Sequence, residues 1–430
     1  MKAVTIKPWK LKGVVNLPPS KSISHRAIIS ASLSEGTSVI DNLILSKDME
    51  ATISAMRLMG SNIEIIKKGE NDRIKLVIGG GYIKRGITHI DCIESGSTLR
   101  FLIPVSLLDK GQVTFHGRGK LVTRPLDSYY EIFHKTGIKY SLMDGGLPLT
   151  IDGQLESGTY ELDGNISSQF VSGLMFSLPL LSGDSKIIIR GDLESKGYVD
   201  LTLDVLKGFG IRIANNGYKE FTIEGNQKYK PSNMEIEGDY SQAAFWLAAG
   251  VLGEGVESQG IREKTSQGDR AIVNIIEEMG GKLHVDGDSI KASPSSLNSI
   301  KVDVSQCPDL VPIIAVLGTF CEGVLEIGNG SRVRIKESDR LKAISTELNK
   351  LGADITETED GLIVKGVKSL RGGEVDSWND HRIVMALAIA ATRASGEVTI
   401  RDSEAITKSY PGFWEDFKML GGIADEWQLG

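Results

Sequence analysis

The sequence has few cysteines and no long apolar stretch, and each shortage excludes a class of protein. Three cysteines, Cys92, Cys307 and Cys321, are too few for a disulfide framework or a four-thiolate metal site. The longest apolar run, residues 383–391, is far shorter than the ~18 residues that a membrane-spanning helix needs. No apolar segment of the kind found in secretory signals follows Met1. We therefore expect a cytoplasmic protein that does not bind membranes.

Basic residues are also fewer than acidic residues in this sequence. The chain has 49 Lys and Arg residues against 56 Asp and Glu residues, a formal net charge of −7, whereas general nucleic-acid binders usually carry the opposite sign. The sequence contains neither a GxxxxGK[ST] phosphate loop nor an HExxH metal motif. These absences argue against a nucleic-acid partner and against a metal, but a small anionic substrate remains compatible with a locally basic cleft.

Glycines mark a sixfold repeat. An amphipathic pattern of the helical period ends in glycine about every 70 residues, at Gly60, Gly137, Gly210, Gly281, Gly352 and Gly422. A second set opens short β-rich runs in the same rhythm, at Gly36, Gly111, Gly183, Gly255, Gly323 and Gly396. Each repeat is predicted to contain a buried helix, a strand, an amphipathic helix and further strands. Two groups of three repeats predict an α/β protein of two domains.

The predicted domains are not both continuous in sequence. Strand-like segments at 4–7 and 11–15 precede the first buried helix and have no partner within the first repeat. We expect them to pair with the last repeat. The domains are then 1–15 with 235–430, and 16–234, with hinges near 13–20 and 230–240.

Polar residues begin the buried helices, and several of these beginnings also carry cations. The predicted starts are Ser20-Lys21-Ser22, Ser95-Gly96-Ser97, Ser167-Ser168-Gln169, Asp239-Tyr240-Ser241, Cys307-Pro308-Asp309 and Asn379-Asp380-His381-Arg382. N-capping explains the Ser, Asp and Asn residues. A cation in the first turn opposes the helix dipole, whereas an anionic ligand is stabilised there. We therefore expect Lys21, Arg124, Arg340, Arg382 and Lys408 to bind phosphate or carboxylate.

The segment 334–340 carries the densest group of such charges. A helix through it would place Lys336 and Arg340 on one face, with Glu337 three residues before Arg340. A surface salt-bridge ladder is the ordinary interpretation. The alternative is that Glu337 carries a proton between two cations. Asp309 is a second candidate proton carrier, and its simpler role would be a helix N-cap.

Several motifs together resemble one enzyme family. They are Lys21-Ser22-Ile23-Ser24-His25-Arg26, Ser95-Gly96-Ser97-Thr98-Leu99-Arg100, Arg124-Pro125, Ser167-Ser168-Gln169, Lys336-Glu337-Ser338-Asp339-Arg340, Asn379-Asp380-His381-Arg382 and Lys408-Ser409-Tyr410-Pro411. In this order and at these spacings they resemble the 5-enolpyruvylshikimate-3-phosphate synthases, an enolpyruvyl transferase family. The resemblance extends from about Pro18 to Gly412.

The resemblance implies a fold and a reaction. The fold is a two-domain inside-out α/β barrel with pseudo-threefold domains, each of three βαβαββ units. The reaction transfers the enolpyruvyl (carboxyvinyl) group of phosphoenolpyruvate to the 5-hydroxyl of shikimate 3-phosphate through a tetrahedral intermediate, releasing phosphate (EC 2.5.1.19, aromatic amino acid biosynthesis). No metal or organic cofactor is implied. The herbicide glyphosate is a candidate inhibitor, and the sequence leaves the sensitivity of this chain open. A monomer is our default because the sequence carries no oligomer signal.

The family's site residues carry over motif by motif. The phosphoenolpyruvate site is expected to include Lys21, Gly96, Arg124, Gln169, Arg340, Arg382 and Lys408. The shikimate 3-phosphate site is expected to include Lys21, Ser22, Arg26, Ser167, Ser168, Gln169, Ser195, Tyr198, Asp309, Arg332 and Lys336. Asp309, Glu337 and Lys21 are the expected catalytic residues.

Two positions depart from the family pattern. Phe101 stands where many members have Pro or Leu, and Arg332 stands where some have Asn. Ser97 and Phe101 flank the loop that meets glyphosate in the family. We therefore expect the bulk of Phe101 to shift Gly96 and to alter inhibition.

Two other functions remain open from the sequence. UDP-N-acetylglucosamine enolpyruvyl transferase shares the fold, but it has a reactive Cys in the loop before its Arg-Pro, where residues 116–123 here contain none. An RNA-binding repeat module is the alternative from another class. The net charge of −7 argues against it.

Overall fold

The computed structural model describes residues 2–68, 72–81 and 89–428. The chain divides into two compact units. The terminal unit comprises Met1–Pro18 and Glu237–Gly430, and the central unit comprises Pro19–Ile236. Each unit is described separately below.

The elements follow one another in the order that the repeat predicts. The strands are β1 (Lys2–Lys7), β2 (Gly13–Asn16), β3 (Gly36–Ile44), β4 (Asn62–Lys68), β5 (Arg73–Gly80), β6 (His89–Asp91), β7 (Gly111–His116), β8 (Lys139–Met143), β9 (Gly146–Gly153), β10 (Thr159–Asp163), β11 (Ser185–Arg190), β12 (Ala214–Asn216), β13 (Glu220–Ile223), β14 (Met234–Glu235), β15 (Val256–Gln259), β16 (Lys282–Asp286), β17 (Ser289–Ser293), β18 (Lys301–Asp303), β19 (Val324–Gly328), β20 (Asp354–Glu357), β21 (Leu362–Lys365), β22 (Gly373–Asp376), β23 (Val398–Arg401) and β24 (Ile423–Gln428). The helices are α1 (Lys21–Leu33), α2 (Lys47–Leu58), α3 (Gly96–Ser106), α4 (Asp127–Thr136), α5 (Ser168–Ser177), α6 (Lys196–Gly208), α7 (Tyr240–Leu252), α8 (Ala271–Glu278), α9 (Val311–Thr319), α10 (Arg340–Lys350), α11 (His381–Ala391) and α12 (Phe413–Met419).

Four-stranded sheets repeat one pairing scheme. In the central unit the strand orders are β14-β3-β5-β4, β6-β7-β9-β8 and β10-β11-β13-β12. In the terminal unit they are β2-β15-β17-β16, β18-β19-β21-β20 and β22-β23-β1-β24. The first pair in each order is parallel and the other two pairs are antiparallel. The predicted mixed α/β fold with six repeats is confirmed.

The two N-terminal strands complete sheets late in the chain. β1 pairs with β23 and β24, so the expected pairing with the last repeat is confirmed for this strand. β2 instead pairs with β15 of the fourth repeat. That part of the prediction is wrong, because β2 is the parallel edge strand of the fourth repeat's sheet, whereas β14, the strand that precedes α7 in the chain, pairs with β3.

The first helix of each repeat is almost wholly buried and forms the core of its unit. In α7, α9 and α11 every residue is buried, and α3 is buried except for Ser97. A helix that is apolar all round is expected to be buried all round. The second helix of each repeat has only one buried face, as in α4 and α8. Among the described residues, none of these helices is long and apolar enough to cross a membrane.

Side-chain caps fix several of the buried helix beginnings. Ser95, Ser167, Asp239 and Asp380 each accept a hydrogen bond from a backbone N–H in the first turn of their helix. Such caps are worth about 1 kcal/mol each. The remaining N–H groups of these first turns have no partner within the helix. The helix beginnings are therefore suited to anions, as expected from the sequence.

Three predicted helical positions lie before a helix rather than within it. α10 begins at Arg340, and Lys336 has an extended backbone with φ −81° and ψ −151°. The prediction that Lys336 and Arg340 share a helix face is therefore wrong. Arg124 lies between a 3₁₀ segment and α4, because the following proline disfavours the α conformation at this residue. Lys408 ends a 3₁₀ segment before α12.

Asp309 does not cap a helix. It is the middle residue of a 3₁₀ segment at 308–310, and α9 begins two residues later, at Val311. The N-cap interpretation of this residue is wrong, and its carboxylate is available for contacts with side chains.

Candidate active site

In the central unit, the beginning of α1 supplies two of the expected cations. Lys21 is the first residue of the helix, and its Nζ lies 3.0 Å from Oδ2 of Asp48 on α2. Both side chains are largely buried. The carboxylate stabilises the ammonium ion and fixes its position at the helix end. Ser22 is half-buried beside Lys21.

Arg26 is anchored to α6 by an almost complete set of hydrogen bonds. Its Nε donates to Oγ1 of Thr202 at 2.7 Å, and Nη2 donates to the carbonyl oxygen of Tyr198 at 2.9 Å. Its Nη1 donates to the Ser22 carbonyl oxygen, and the guanidinium lies 5.0 Å from the ring centre of Phe101. Burial lowers the pKa of Arg26 to about 10. The side chain is therefore a fixed cation with little access to water.

The beginnings of α3 and α5 are joined through Gln169. Its Nε2 donates to Oγ of Ser97 at 2.9 Å, and its Oε1 accepts from Nη1 of Arg100 at 2.8 Å. Arg100 is itself buried over the ring of Phe170. Gln169 is thus held in one orientation by donors and acceptors on both sides.

Arg124 lies directly over Gly96. A Cβ atom at Gly96 would be 2.6 Å from Nη1 of Arg124, well inside van der Waals contact. Glycine at the first position of α3 therefore lets the guanidinium approach the helix end. An anion at the N–H groups of this helix end would also be close to Arg124.

The expected sugar-phosphate residues of this unit lie at the beginnings of α5 and α6. Ser167 caps α5 and Ser168 is buried in its first turn. Ser195 precedes α6 in a left-handed conformation, with φ 55° and ψ 46°. Tyr198 lies in the first turn of α6 and is tied to Arg26 through its carbonyl oxygen. The left-handed conformation of Ser195 is uncommon for a residue other than glycine, and such residues often mark a functional position.

A buried chain of hydrogen bonds lies beneath these helix beginnings. Nδ1 of His25 is 2.7 Å from Oγ1 of Thr52, which is 2.7 Å from Oγ1 of Thr98. Thr98 in turn donates to Oγ of Ser95, the cap of α3. Burial, together with the charges of Lys21 and Arg26, holds the pKa of His25 well below its usual value. His25 is therefore neutral and ties α1 to α2 and α3.

In the terminal unit, three cations surround the Asp309 carboxylate. Oδ1 lies 2.7 Å from Nη1 of Arg340 and 3.3 Å from Nζ of Lys336. Oδ2 lies 3.0 Å from Nη2 of Arg382. Residues from three segments of two repeats, far apart in the sequence, therefore meet at one carboxylate.

Arg340 connects this carboxylate to two others. Nη2 donates to Oε2 of Glu337 at 2.7 Å, and Nε donates to Oδ2 of Asp380 at 2.8 Å. These carboxylates raise the pKa of Arg340 despite its burial. Burial lowers the pKa of Lys336, although Asp309 opposes the shift. Glu337 and Lys336 thus reach the same cluster although they lie outside α10.

The remaining expected cations have defined partners. Nη2 of Arg382 donates to Oγ of Ser241 at 3.0 Å, at the beginning of α7. Nζ of Lys408 donates to the Asn379 carbonyl oxygen at 2.7 Å, just before α11. Nη2 of Arg332 donates to the Ser305 carbonyl oxygen at 3.0 Å. Arg332 lies in the segment that leads to Lys336, and its charge helps to lower the pKa of Lys336.

Comparison with known proteins identifies the family. The family model for EPSP synthase (3-phosphoshikimate 1-carboxyvinyltransferase) matches residues 6–417 of this sequence. The chain belongs to this family. It is 54% identical over 434 residues to a 3-phosphoshikimate 1-carboxyvinyltransferase of Clostridium novyi (strain NT), with 100% of both chains covered. It is 50% identical over 442 residues to the enzyme of the same name from Clostridioides difficile (strain 630), again with 100% of both covered.

A solved structure agrees with the sequence relatives. EPSP synthase from Acinetobacter baumannii superposes with a TM-score of 0.81 at 25% identity, and the match covers 100% of each chain. The predicted EPSP synthase family and the transferase class are therefore confirmed. None of the relatives named here is a UDP-N-acetylglucosamine enolpyruvyl transferase or an RNA-binding protein.

For this member of the EPSP synthase family, sequence reasoning missed three supporting residues. Asp48 holds Lys21, Asp380 holds Arg340, and Arg100 holds Gln169. Asp380 and Arg100 fall within motifs that the resemblance rests on, but their partners lie far away in sequence. The signal that could have indicated Asp380 is its position as a capping acid directly before the cation-bearing turn of α11. Asp48 carries no comparable signal.

The described residues contain no group of three or more His, Cys, Asp or Glu side chains arranged to hold a metal ion. The three cysteines are buried, and burial raises the pKa of Cys92, Cys307 and Cys321. A thiol in this state is a poor nucleophile. The cysteines are therefore not candidate nucleophiles.

Proposed function

We propose that this chain transfers the enolpyruvyl group of phosphoenolpyruvate to the 5-hydroxyl of shikimate 3-phosphate and releases phosphate, a step in aromatic amino acid biosynthesis (EC 2.5.1.19). The observation that carries the proposal is the Asp309 carboxylate with Lys336, Arg340 and Arg382 around it. A carboxylate fixed among cations serves a reaction that moves protons between two anionic substrates. Family membership supports the same chemistry.

Phosphoenolpyruvate binding is assigned to cations and to helix ends. The residues are Lys21, Gly96, Arg124, Gln169, Arg340, Arg382 and Lys408. Arg124 and Gly96 share one helix end, and Arg340 and Arg382 share the Asp309 carboxylate. Guanidinium groups suit this role because they bind carboxylate and phosphate through two parallel hydrogen bonds.

Shikimate 3-phosphate binding is assigned to the serine-rich helix beginnings and to Arg26, Lys336 and Arg332. The full set is Lys21, Ser22, Arg26, Ser167, Ser168, Gln169, Ser195, Tyr198, Asp309, Arg332 and Lys336. Serine hydroxyls can donate to phosphate without adding charge. The buried position of Arg26 beside Tyr198 supports its assignment, because a dry cation binds an anion more strongly than an exposed one.

Proton transfer requires two carriers. C3 of phosphoenolpyruvate gains a proton, which makes C2 electrophilic, and the sugar hydroxyl loses a proton as its oxygen attacks C2. Loss of the C3 proton and departure of phosphate then collapse the tetrahedral adduct. We assign the hydroxyl proton to Asp309 and the C3 proton to Glu337 or Lys21. Acid–base help of this kind contributes about 10²–10⁴-fold.

The remaining assignments concern the whole chain. We propose that the two compact units are the two domains, with boundaries near residues 15 and 235, and that each is an inside-out barrel. We further propose a cytoplasmic monomer that needs no cofactor and binds no nucleic acid. Glyphosate is assigned as an inhibitor whose binding depends on Phe101. Equal Ki values for the native chain and Phe101→Pro would refute the role of this residue.

The function is tested by phosphate release. We expect release only when phosphoenolpyruvate and shikimate 3-phosphate are both present, and release that does not require shikimate 3-phosphate would overturn the assignment. Lys21→Ala and Glu337→Gln are each expected to lose at least ~100-fold in turnover while remaining folded. Lys47→Ala and Glu359→Gln, on exposed side chains of the same types, are the matched controls.

A further inference from the structure

A basic cavity lies in the terminal unit, away from the helix beginnings. It has a volume of about 540 Å³, and its lining includes Lys10, Lys282 and Arg393. Its other lining residues include Leu252, Ser295 and Ser296, and none of the lining residues is acidic. Such a concentration of positive charge is unexpected in a chain whose net charge is −7.

The position of Arg393 in this cavity is fixed. Its Nη1 donates to the Leu252 carbonyl oxygen at 3.1 Å, and its guanidinium lies 5.6 Å from the ring centre of Phe320. The side chain is half-buried, and its other N–H groups remain for a ligand. A guanidinium that is already oriented loses little entropy when it binds an anion.

Stabilisation by the negative end of a helix dipole explains only one of the three cations. Cations are stabilised near a helix C-terminus, and the contact of Arg393 with Leu252, the last residue of α7, fits that role. Lys10 comes from the connection between β1 and β2, and Lys282 is the first residue of β16. Among the described residues, neither ammonium group has a hydrogen-bond or ion-pair partner. Their charges therefore add to the cavity without an internal counterion.

The cavity is separate from the Asp309 cluster within the same unit. Helices α7 and α11 run side by side, because Arg382 contacts Ser241 near their beginnings and Arg393 contacts Leu252 near their ends. The two contacts lie eleven residues apart along each chain segment, from Ser241 to Leu252 and from Arg382 to Arg393. Eleven residues correspond to about 16 Å of helix. A ligand at Arg393 is thus too far along these helices to share atoms with one at Arg382.

We propose that this cavity binds a small organic polyanion, a metabolite with two or more phosphate or carboxylate groups. Three cations from three separate segments match several anionic groups rather than one, and the seryl side chains add polar contacts. The volume fits a small metabolite rather than a single inorganic ion.

The test is calorimetric titration of the full chain with two probes, pyrophosphate and citrate, at constant ionic strength. The native chain is expected to bind at least one of them at this cavity with a dissociation constant below about 1 mM. The double variant Lys10→Glu/Lys282→Glu is expected to bind that probe at least tenfold more weakly at the same site. Weaker binding of pyrophosphate would indicate that the cavity recognises phosphate, and weaker binding of citrate would indicate that it recognises carboxylate.

A matched control separates the cavity from general charge effects and from the substrate site. Lys301→Glu/Lys365→Glu makes the same change in net charge on exposed side chains of another sheet in this unit, and it should bind both probes as the native chain does. Enolpyruvyl transfer should be retained in both double variants, because none of the four residues belongs to the proposed site. Equal binding of both probes by the native chain and the cavity variant would overturn the proposal, whatever the outcome for the reaction.

Discussion

Arg340 and Asp380 form a two-point ion pair that is closed to solvent. Nε of Arg340 lies 2.8 Å from Oδ2 and Nη2 lies 3.2 Å from Oδ1, and the two side chains are 1% and 0% exposed. The same carboxylate accepts from Ser338 and from the backbone N–H of Arg382. One buried acid therefore orients Arg340 and caps the helix that carries Arg382.

Removing this acid should cost both stability and substrate binding. We expect Asp380→Ala to lower the free energy of unfolding by about 3–5 kcal/mol, because Arg340 would be left as a buried charge without its main partner. Asp380→Asn preserves the cap and most of the volume, so it should lose less stability while still raising the KM for phosphoenolpyruvate. Urea unfolding and steady-state kinetics measure the two effects. A native-like unfolding curve for Asp380→Ala would contradict the assigned role.

Gly96→Ala should weaken phosphoenolpyruvate binding without unfolding the protein. The added Cβ would lie 2.6 Å from Nη1 of Arg124, and the flexible end of this side chain would have to move away. Loss of one charge-assisted hydrogen bond costs about 1.5–3 kcal/mol, so we expect the KM to rise roughly 10–100-fold. The matched control is Gly328→Ala, where an added Cβ meets nothing within 4 Å and the backbone is not in the left-handed region. An unchanged KM for Gly96→Ala would show that Arg124 does not contact this substrate.

Local patterns were sufficient to predict the architecture from the sequence. The glycines that end helices and open strands predict six repeats, because glycine takes positive φ at little cost, as at Gly137 with φ +72°. The pairing of β1 with β23 and β24 could also be anticipated, since β1 had no partner nearby. These predictions depend only on backbone periodicity and on unpaired strands.

The site was less predictable because its contacts connect distant residues. Helical spacing placed Lys336 beside Arg340 on α10, whereas the chain brings the two together through an extended segment and a shared contact with Asp309. The contact between Arg382 and Asp309 spans 73 residues. No spacing rule anticipates such a pair. The resemblance to a family named candidate side chains but not the bonds that hold them.

Stability should fall in acid because of His25. Burial and the nearby charges of Lys21 and Arg26 hold its pKa well below the usual 6.5 in the folded state. Below pH 6.5 the unfolded chain therefore binds a proton that the folded chain does not, and stability decreases as the pH falls, by up to about 1.4 kcal/mol per pH unit.

The His25 effect can be isolated with a variant that does not titrate. The loss of unfolding free energy between pH 7.5 and 5.5 should be smaller in His25→Gln than in the native chain. His284→Gln, at an exposed position, should behave like the native chain. The prediction fails if His25→Gln and the native chain lose the same free energy over this range.

Binding of shikimate 3-phosphate should weaken in alkali through Lys336. Burial lowers the pKa of its ammonium group below the ordinary value of 10.5, and the nearby Asp309 carboxylate opposes the shift. When the pH rises through this lowered pKa, Lys336 loses the charge with which we expect it to bind the substrate. The KM for shikimate 3-phosphate should therefore rise at a pH below 10.5.

Unfolding does not account for this alkaline effect of Lys336. Between the lowered pKa and 10.5 the unfolded chain binds more protons at Lys336 than the folded chain, so the contribution of this group to stability increases with pH. Lys336→Arg keeps its charge to a higher pH and should shift the rise in KM upward. Lys342→Arg, at an exposed position on α10, should leave the profile unchanged. If the pH profiles of KM for Lys336→Arg and the native chain coincide, the charge on Lys336 does not control binding.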